Sequence, residues 1–181
     1  NLTSAYIMAT SYASIIAGAK GLLWYHESTS GSSVISAESW WPTLSGLAFE
    51  MNTLRPIIGN SQSSWAASAN VVSPERVDVA SYTHNGKAYL LAVNTEPVSA
   101  HVTYTLHNLS YTPNTAVDIF TSAVVVTTDT THFSDTLTPY GRRVYELAAG
   151  SVPLAYLLGA VDITQYVQEL EGVDFGLPEP T

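Results

Sequence analysis

The chain has 181 residues, too few for a complete α/β barrel of about 250 but enough for one domain with a smaller companion. Its 15 acidic residues against 6 basic ones leave a formal charge of -9, which repels phosphate backbones and anionic lipid and argues against nucleic acid as a partner. The absence of cysteine excludes disulfides, thiolate catalysis and zinc–thiolate sites, and no apolar run approaches the ~20 residues that span a bilayer.

Helical spacing begins almost at the first residue. Tyr6, Ile7, Ala9, Ala13, Ile16 and Ala17 recur at one face, Thr3 or Ser4 is available as an N-cap, and Gly18 is a C-terminal stop, so a helix is expected over 3–17. The abrupt start at Asn1 suggests a cut inside a longer protein. Residues 20–25 form a short apolar run of the kind that makes a parallel strand buried on both faces. A Ser/Gly-rich loop follows, and Trp40, Trp41, Leu44, Leu47, Ala48, Met51 and Leu54 then mark a second helix over 37–54, capped by Ser36 and ended by Pro56.

After Pro56 the hydrophobic period changes from 3.6 to 2, which sets a domain boundary near residue 60. Val98, Ala100, Val102, Tyr104 and Leu106 alternate with polar residues, and Asn85-Gly86 separates two strand-like runs as a hairpin turn does. Further runs at 116–120, 123–128, 131–136 and 142–147 bring the expected count to about seven strands, an antiparallel β-sandwich. In its last strand Val144 is expected on one face, with Tyr145 and Leu147 leaning toward the other, and the turn Pro139-Tyr140-Gly141 is expected to close the sandwich. The fold class is therefore α+β, divided into residues 1–60, a sandwich over 61–149, and a tail over 150–181. In the tail Asp162, Gln165, Ile163, Tyr166, Val167 and Leu170 suggest a short amphipathic helix.

Trp24, Tyr25, His26 and Glu27 are the sharpest chemical cluster. An indole face packs on the C–H face of a pyranose while His and Glu bond its hydroxyls, which is what a sugar subsite requires. The plain alternative is ordinary strand packing by Trp24, with His26 and Glu27 beginning a loop. Trp40 and Trp41 point about 100° apart on a helix, so at most one packs in the core while the other reaches a rim; either could line a sugar groove, and Trp40 is the one named as a sugar contact. Glu27 has no evident partner for the two-carboxylate chemistry of glycoside hydrolysis: Glu38 falls in the first turn of the second helix and Glu50 on its solvated side. The histidines at 26, 84, 101, 107 and 132 show no metal-ligand spacing, and neither a metal nor a cofactor is expected.

In this order, residues 6–13 leading into 16–25, Trp41-Pro42-Thr43-Leu44 with residues 47–56, residues 89–94, and Pro139-Tyr140-Gly141-Arg142-Arg143-Val144-Tyr145 resemble the end of a (β/α)8-barrel glycoside hydrolase followed by its C-terminal β-sandwich. The resemblance implies a seventh helix, an eighth strand and a last barrel helix. It also implies that the two catalytic glutamates, at the ends of the fourth and seventh strands, lie before Asn1, so that no catalytic residue is expected here. Trp24 then matches an aromatic platform beneath the sugar. If residues 20–25 were instead the seventh strand, Glu27 would be a nucleophile candidate; no further strand pattern separates the second helix from the sandwich, which argues against this. The implied partners are carbohydrate and the missing barrel portion of the same protein, and a secreted or extracytoplasmic location is expected. Lone barrel units leave apolar helix faces uncovered, so the segment should aggregate, oligomerise or borrow a surface from the sandwich. The competing expectation is a non-catalytic carbohydrate-binding or structural sandwich, with exposed aromatics such as Tyr82 or Tyr111 as the sugar contacts.

Overall fold

A computed structural model describes residues 3–24, 41–59, 63–72, 74–126 and 131–148. Tyr25, His26, Glu27, Trp40, the Ser36 cap and the tail beyond 148 lie outside the described residues. Two helices and eight strands are present among the described residues, and every pairing between strands is antiparallel.

Helix α1 spans Ser4–Ile16 and α2 spans Trp41–Ile58. The Thr3 side chain accepts from the Tyr6 N–H and caps α1. Gly18, at φ +99°, ends it in a Schellman turn, with the Ala19 N–H bonding Ser14 O and the Gly18 N–H bonding Ile15 O, both at 2.9 Å. Pro56 does not stop α2. It sits in the last turn, where its missing N–H forfeits one bond, while Leu54 and Ile57 on either side bury their side chains and hold the helix to Ile58.

The strands are β1 (Ala66–Asn70), β2 (Val77–His84), β3 (Lys87–Asn94), β4 (Ala100–His107), β5 (Thr115–Asp118), β6 (Val124–Val126), β7 (His132–Leu137) and β8 (Arg142–Ala148). They form a three-stranded sheet, β1-β4-β7, and a five-stranded sheet, β2-β3-β8-β5-β6. The sandwich was legible, but the eight strands exceed the expected seven because Ala66–Asn70, a small-residue strand without strong alternation, pairs with β4. The Asn85-Gly86 hairpin forms as the pattern predicts, with φ of +50° and +75° at its centre.

Between the sheets lies a core of Trp65, Leu90, Val102, Tyr104, Phe133, Tyr145, Leu147 and their neighbours. Its aromatic centre is a triangle in which Tyr104, Phe133 and Tyr145 lie with ring centroids 4.8–5.6 Å apart. A second core lies on the outer face of the five-stranded sheet, where Ala9, Tyr12, Ile15, Leu47, Leu54 and Ile57 of the helices meet Tyr89, Leu91, Val93 and Val144. The helices do borrow the sandwich surface. Val144 faces them while Tyr145 and Leu147 face the inter-sheet core, as the alternation predicts.

Residues 20–24 are not a strand. They have no regular structure, and Leu23 is 94% exposed. A doubly buried strand needs a neighbour on each edge to bond its N–H and C=O groups, and no described strand lies beside this run. The expected barrel portion is accordingly not seen among the described residues.

Candidate functional site

Beyond the Schellman turn, residues 19–24 run beside α2 and leave a groove of 740 Å³ between them. Ile15, Leu22, Leu44, Leu47 and Met51 line its apolar part, and Lys20, Asn52 and Arg55 are its polar members. Trp24 lines the same groove and is 37% exposed, leaving part of the indole open. Of the five residues that the sequence singles out as a sugar face, Trp24 alone is placed. Trp41 is 48% exposed at the start of α2.

A second cluster was not anticipated. Glu50 is 9% exposed, on the packed side of α2 and not on its solvated side. The Tyr12 hydroxyl donates to Glu50 Oε2 at 2.6 Å, Arg142 Nε donates to the same oxygen at 2.7 Å, and Arg142 Nη2 donates to Oε1. The Arg142 guanidinium also lies 5.5 Å from the centroid of the Tyr12 ring. Burial pushes the Tyr12 phenol far above its ordinary value, reinforced by its bond to Glu50. Burial alone would lower the pKa of Arg142, but its bond and charge interaction with Glu50 raise it. With both carboxylate oxygens engaged, Glu50 ties α2 to α1 and β8 through internal bonds. The sequence did carry the signal: positions 47, 50, 54 and 57 follow the spacing of a buried helical stripe, which places Glu50 among the core residues.

The Pro139–Gly141 turn lies beside this cluster and does more than close the sandwich. Tyr140 adopts φ +55°, costly for a bulky residue, and its ring packs edge-on against Tyr6 of α1 at 5.5 Å. At Gly141 a Cβ would fall 2.6 Å from Thr138 Oγ1 and 2.8 Å from Thr138 O, so a side chain does not fit. Buried Asn94 anchors the turn by donating to Thr138 O at 2.9 Å and Val98 O at 2.6 Å.

Within the sandwich, Arg143 bonds Asp118 Oδ2 at 3.4 Å and lies 3.5 Å from Asp135, which also accepts from the Tyr145 hydroxyl at 2.5 Å. Asp118 further accepts from Thr121 and from the Val144 N–H. These carboxylates are spent on internal bonds. Among the described residues no group of three His, Asp or Glu side chains gathers as a metal site. The aromatics named for a sandwich sugar site are engaged as well. Tyr82 packs against the second core, and Tyr111 donates to Leu147 O at 2.5 Å.

No protein-family model matches the sequence, and no curated protein does. Among solved structures, the chain is similar to a substituted form of AmyP in complex with maltotriose, with 12% identity and a TM-score of 0.50 over 82% of this chain and 35% of that one. It is also similar to the noncanonic maltogenic alpha-amylase AmyB from Thermotoga neapolitana, with 13% identity and a TM-score of 0.49 over 82% of this chain and 38% of that one. At these identities the likeness is one of fold. The chain spans about a third of the length of either structure.

Proposed function

We propose that this chain is the C-terminal portion of a glycoside hydrolase, with residues 1–60 completing a (β/α)8 catalytic barrel and residues 61–149 forming its accessory β-sandwich. The observation that carries this is the likeness to AmyP, which extends over 82% of this chain yet takes up only 35% of a protein seen with maltotriose. The order of elements, two helices followed by an antiparallel sandwich, supports it. The two catalytic carboxylates come from the portion before Asn1, consistent with the engagement of Glu50, Asp118 and Asp135 in internal bonds. Trp24, Tyr25, His26 and Glu27, with Trp40, line the sugar side of the completed site, where the open part of the Trp24 indole stacks on a pyranose. The whole enzyme is secreted or extracytoplasmic and cleaves O-glycosidic bonds of malto-oligosaccharide type.

The test is an assay on a panel of aryl glycosides and maltotriose, using this chain and the longer polypeptide encoded by the frame running into Asn1. The chain alone should be inactive and the longer protein active, with maltotriose affinity lowered about tenfold or more by Trp24→Ala, as expected for loss of one stacking contact. Turnover by the chain alone that disappears in Glu27→Gln would place the nucleophile here and overturn the assignment.

A further inference from the structure

Helix α2 presents two different stripes to two different spaces. Leu44, Ala48, Met51 and Arg55 turn toward the groove that holds Trp24. Thr43, Gly46 and Glu50 line a separate hollow of about 370 Å³, whose other walls are the start of α1 and residues 138–142 of the sandwich. No residue lines both spaces, and all the walls of the hollow belong to one compact unit.

Two conformational costs meet in this hollow. Tyr140 in its wall holds φ +55°, a backbone state that bulky residues adopt at a cost and that recurs where ligands are gripped. Gly46 lies inside α2, where glycine is less favourable than alanine because it loses more backbone freedom on folding. Packing does not require that glycine: a Cβ there would meet nothing within 4 Å among the described residues. The missing side chain keeps the hollow open. Its lining is polar without net charge, with hydroxyls from Ser4, Thr43 and Thr138 above the Glu50–Arg142 pair. The Arg142 guanidinium carries five N–H donors, of which Glu50 takes one on Nε and one on Nη2.

We propose that this hollow is a second carbohydrate site, separate from the Trp24 groove, which receives the end of a neutral glycan. The three hydroxyls and the remaining Arg142 donors bond the sugar hydroxyls, and Tyr140 offers an aromatic surface to the C–H groups of the ring. The volume lies within the range of about 300–1,000 Å³ usual for small-molecule sites. Other ligand classes suit the lining less well. An anion meets the Glu50 carboxylate, a cation meets the Arg142 guanidinium, and an aliphatic ligand strips water from the hydroxyls and the ion pair without replacing its bonds. The glycoside hydrolase reading enters only in the choice of a malto-oligosaccharide as the probe.

Titration of this chain with maltotriose, followed through backbone amide chemical shifts, tests the site in the wild type, Gly46→Leu and Trp24→Ala. The amides of Gly46, Gly141 and Arg142 should shift in the wild type and equally in Trp24→Ala. Gly46→Leu fills the hollow and should weaken binding at least about tenfold, while its melting temperature stays level or rises because leucine favours the helix. If Gly46→Leu does not fold, the wild-type shift map decides alone. Shifts centred on Trp24 and lost in Trp24→Ala overturn the inference, as does binding that Gly46→Leu leaves unchanged. Absence of any shift at about 50 mM sugar, above the millimolar range of weak sites, also overturns it. So do shifts at these amides with inorganic phosphate and not with maltotriose, which indicate an anion site. An active longer enzyme whose C-terminal chain binds no sugar here loses this inference alone. Sugar bound in the hollow beside an inactive longer protein sinks the enzyme reading and leaves the site standing.

Discussion

At the residue scale, the pairing of Glu50 with Arg142 and Tyr12 joins three elements through one carboxylate. Removing one member of such a pair leaves the other charged and poorly solvated, which costs far more than the pair contributes over an apolar replacement. Arg142→Met should therefore destabilise the fold by about 3 kcal/mol in urea denaturation, and Arg142→Met/Glu50→Leu should recover much of that loss. Equal loss in the single and double variants would show that packing, not the buried charge, dominates. Tyr104 is the opposite case. Its hydroxyl is buried without a hydrogen-bond partner, while the neighbouring Tyr145 hydroxyl donates to Asp135. Tyr104→Phe should change stability by less than about 1 kcal/mol or increase it, since an unpaired hydroxyl loses more on desolvation than it returns; a melting temperature lowered by more than a few degrees would contradict this. Neither role was legible from residue type. Glu50 occupies a core position by spacing, but its acidity suggested solvent, and Arg142 lies 92 positions away in sequence. Partners that distant are joined by the fold, which local periodicity does not report.

At the element scale, strand β3 was found through its hairpin but was the least fully understood. The run Tyr89-Leu90-Leu91-Ala92-Val93 lacks the polar alternation of a strand with one wet face, and every residue from Ala88 to Asn94 is buried. That continuity signalled a layer on each side, the second being the helices, whereas the change of period at Pro56 suggested separate units. Strand β4 alternates cleanly because its sheet has only one buried face; Ala100, Val102, Tyr104 and Leu106 point inward as read, whereas Val98, read as part of the same face, lies before the strand and is 41% exposed. The run at 20–25 misled for the matching reason: an apolar run records that something covers it without saying whether the cover lies in this part of the chain. Leu54, fully buried between α2 and the sheet, tests the strength of that docking. Leu54→Ala should cost about 2–5 kcal/mol, with the loss appearing in helical and sandwich signals alike; a loss confined to far-UV helical ellipticity would mean that α2 detaches independently.

At the scale of the whole molecule, the described residues up to 148 belong to one compact unit, so helices and sandwich should melt together. Near-UV ellipticity and Trp fluorescence should give coincident transitions, and separated midpoints would refute the coupling. The same packing fixes a dependence on pH. Burial, followed by its bond to Glu146, pushes the Tyr89 phenol from 10.0 to about 12, and burial drives Tyr12, Tyr104 and Tyr145 upward as well. A raised folded value means that the native state holds these protons after the unfolded chain has begun to release them. The contribution of Tyr89 is therefore complete below pH 10 and lost as pH climbs from there through about 12, and those of the other three begin to be lost above pH 10 as well. Denaturation midpoints should be flat with respect to these groups near neutrality and fall steeply above pH 10, together with the absorbance change of tyrosinate; constant midpoints in that range would contradict it. The doubly covered β3 strand also carries a kinetic consequence. Its hairpin with β2 closes through a two-residue turn and forms early, but the surface that receives α1 exists only once β8 has joined, its partners lying 49 to 59 positions downstream. The helices, quick to coil locally, must wait for the slowest pairing around them, so substitutions on their docking face should accelerate unfolding and leave the folding rate nearly untouched.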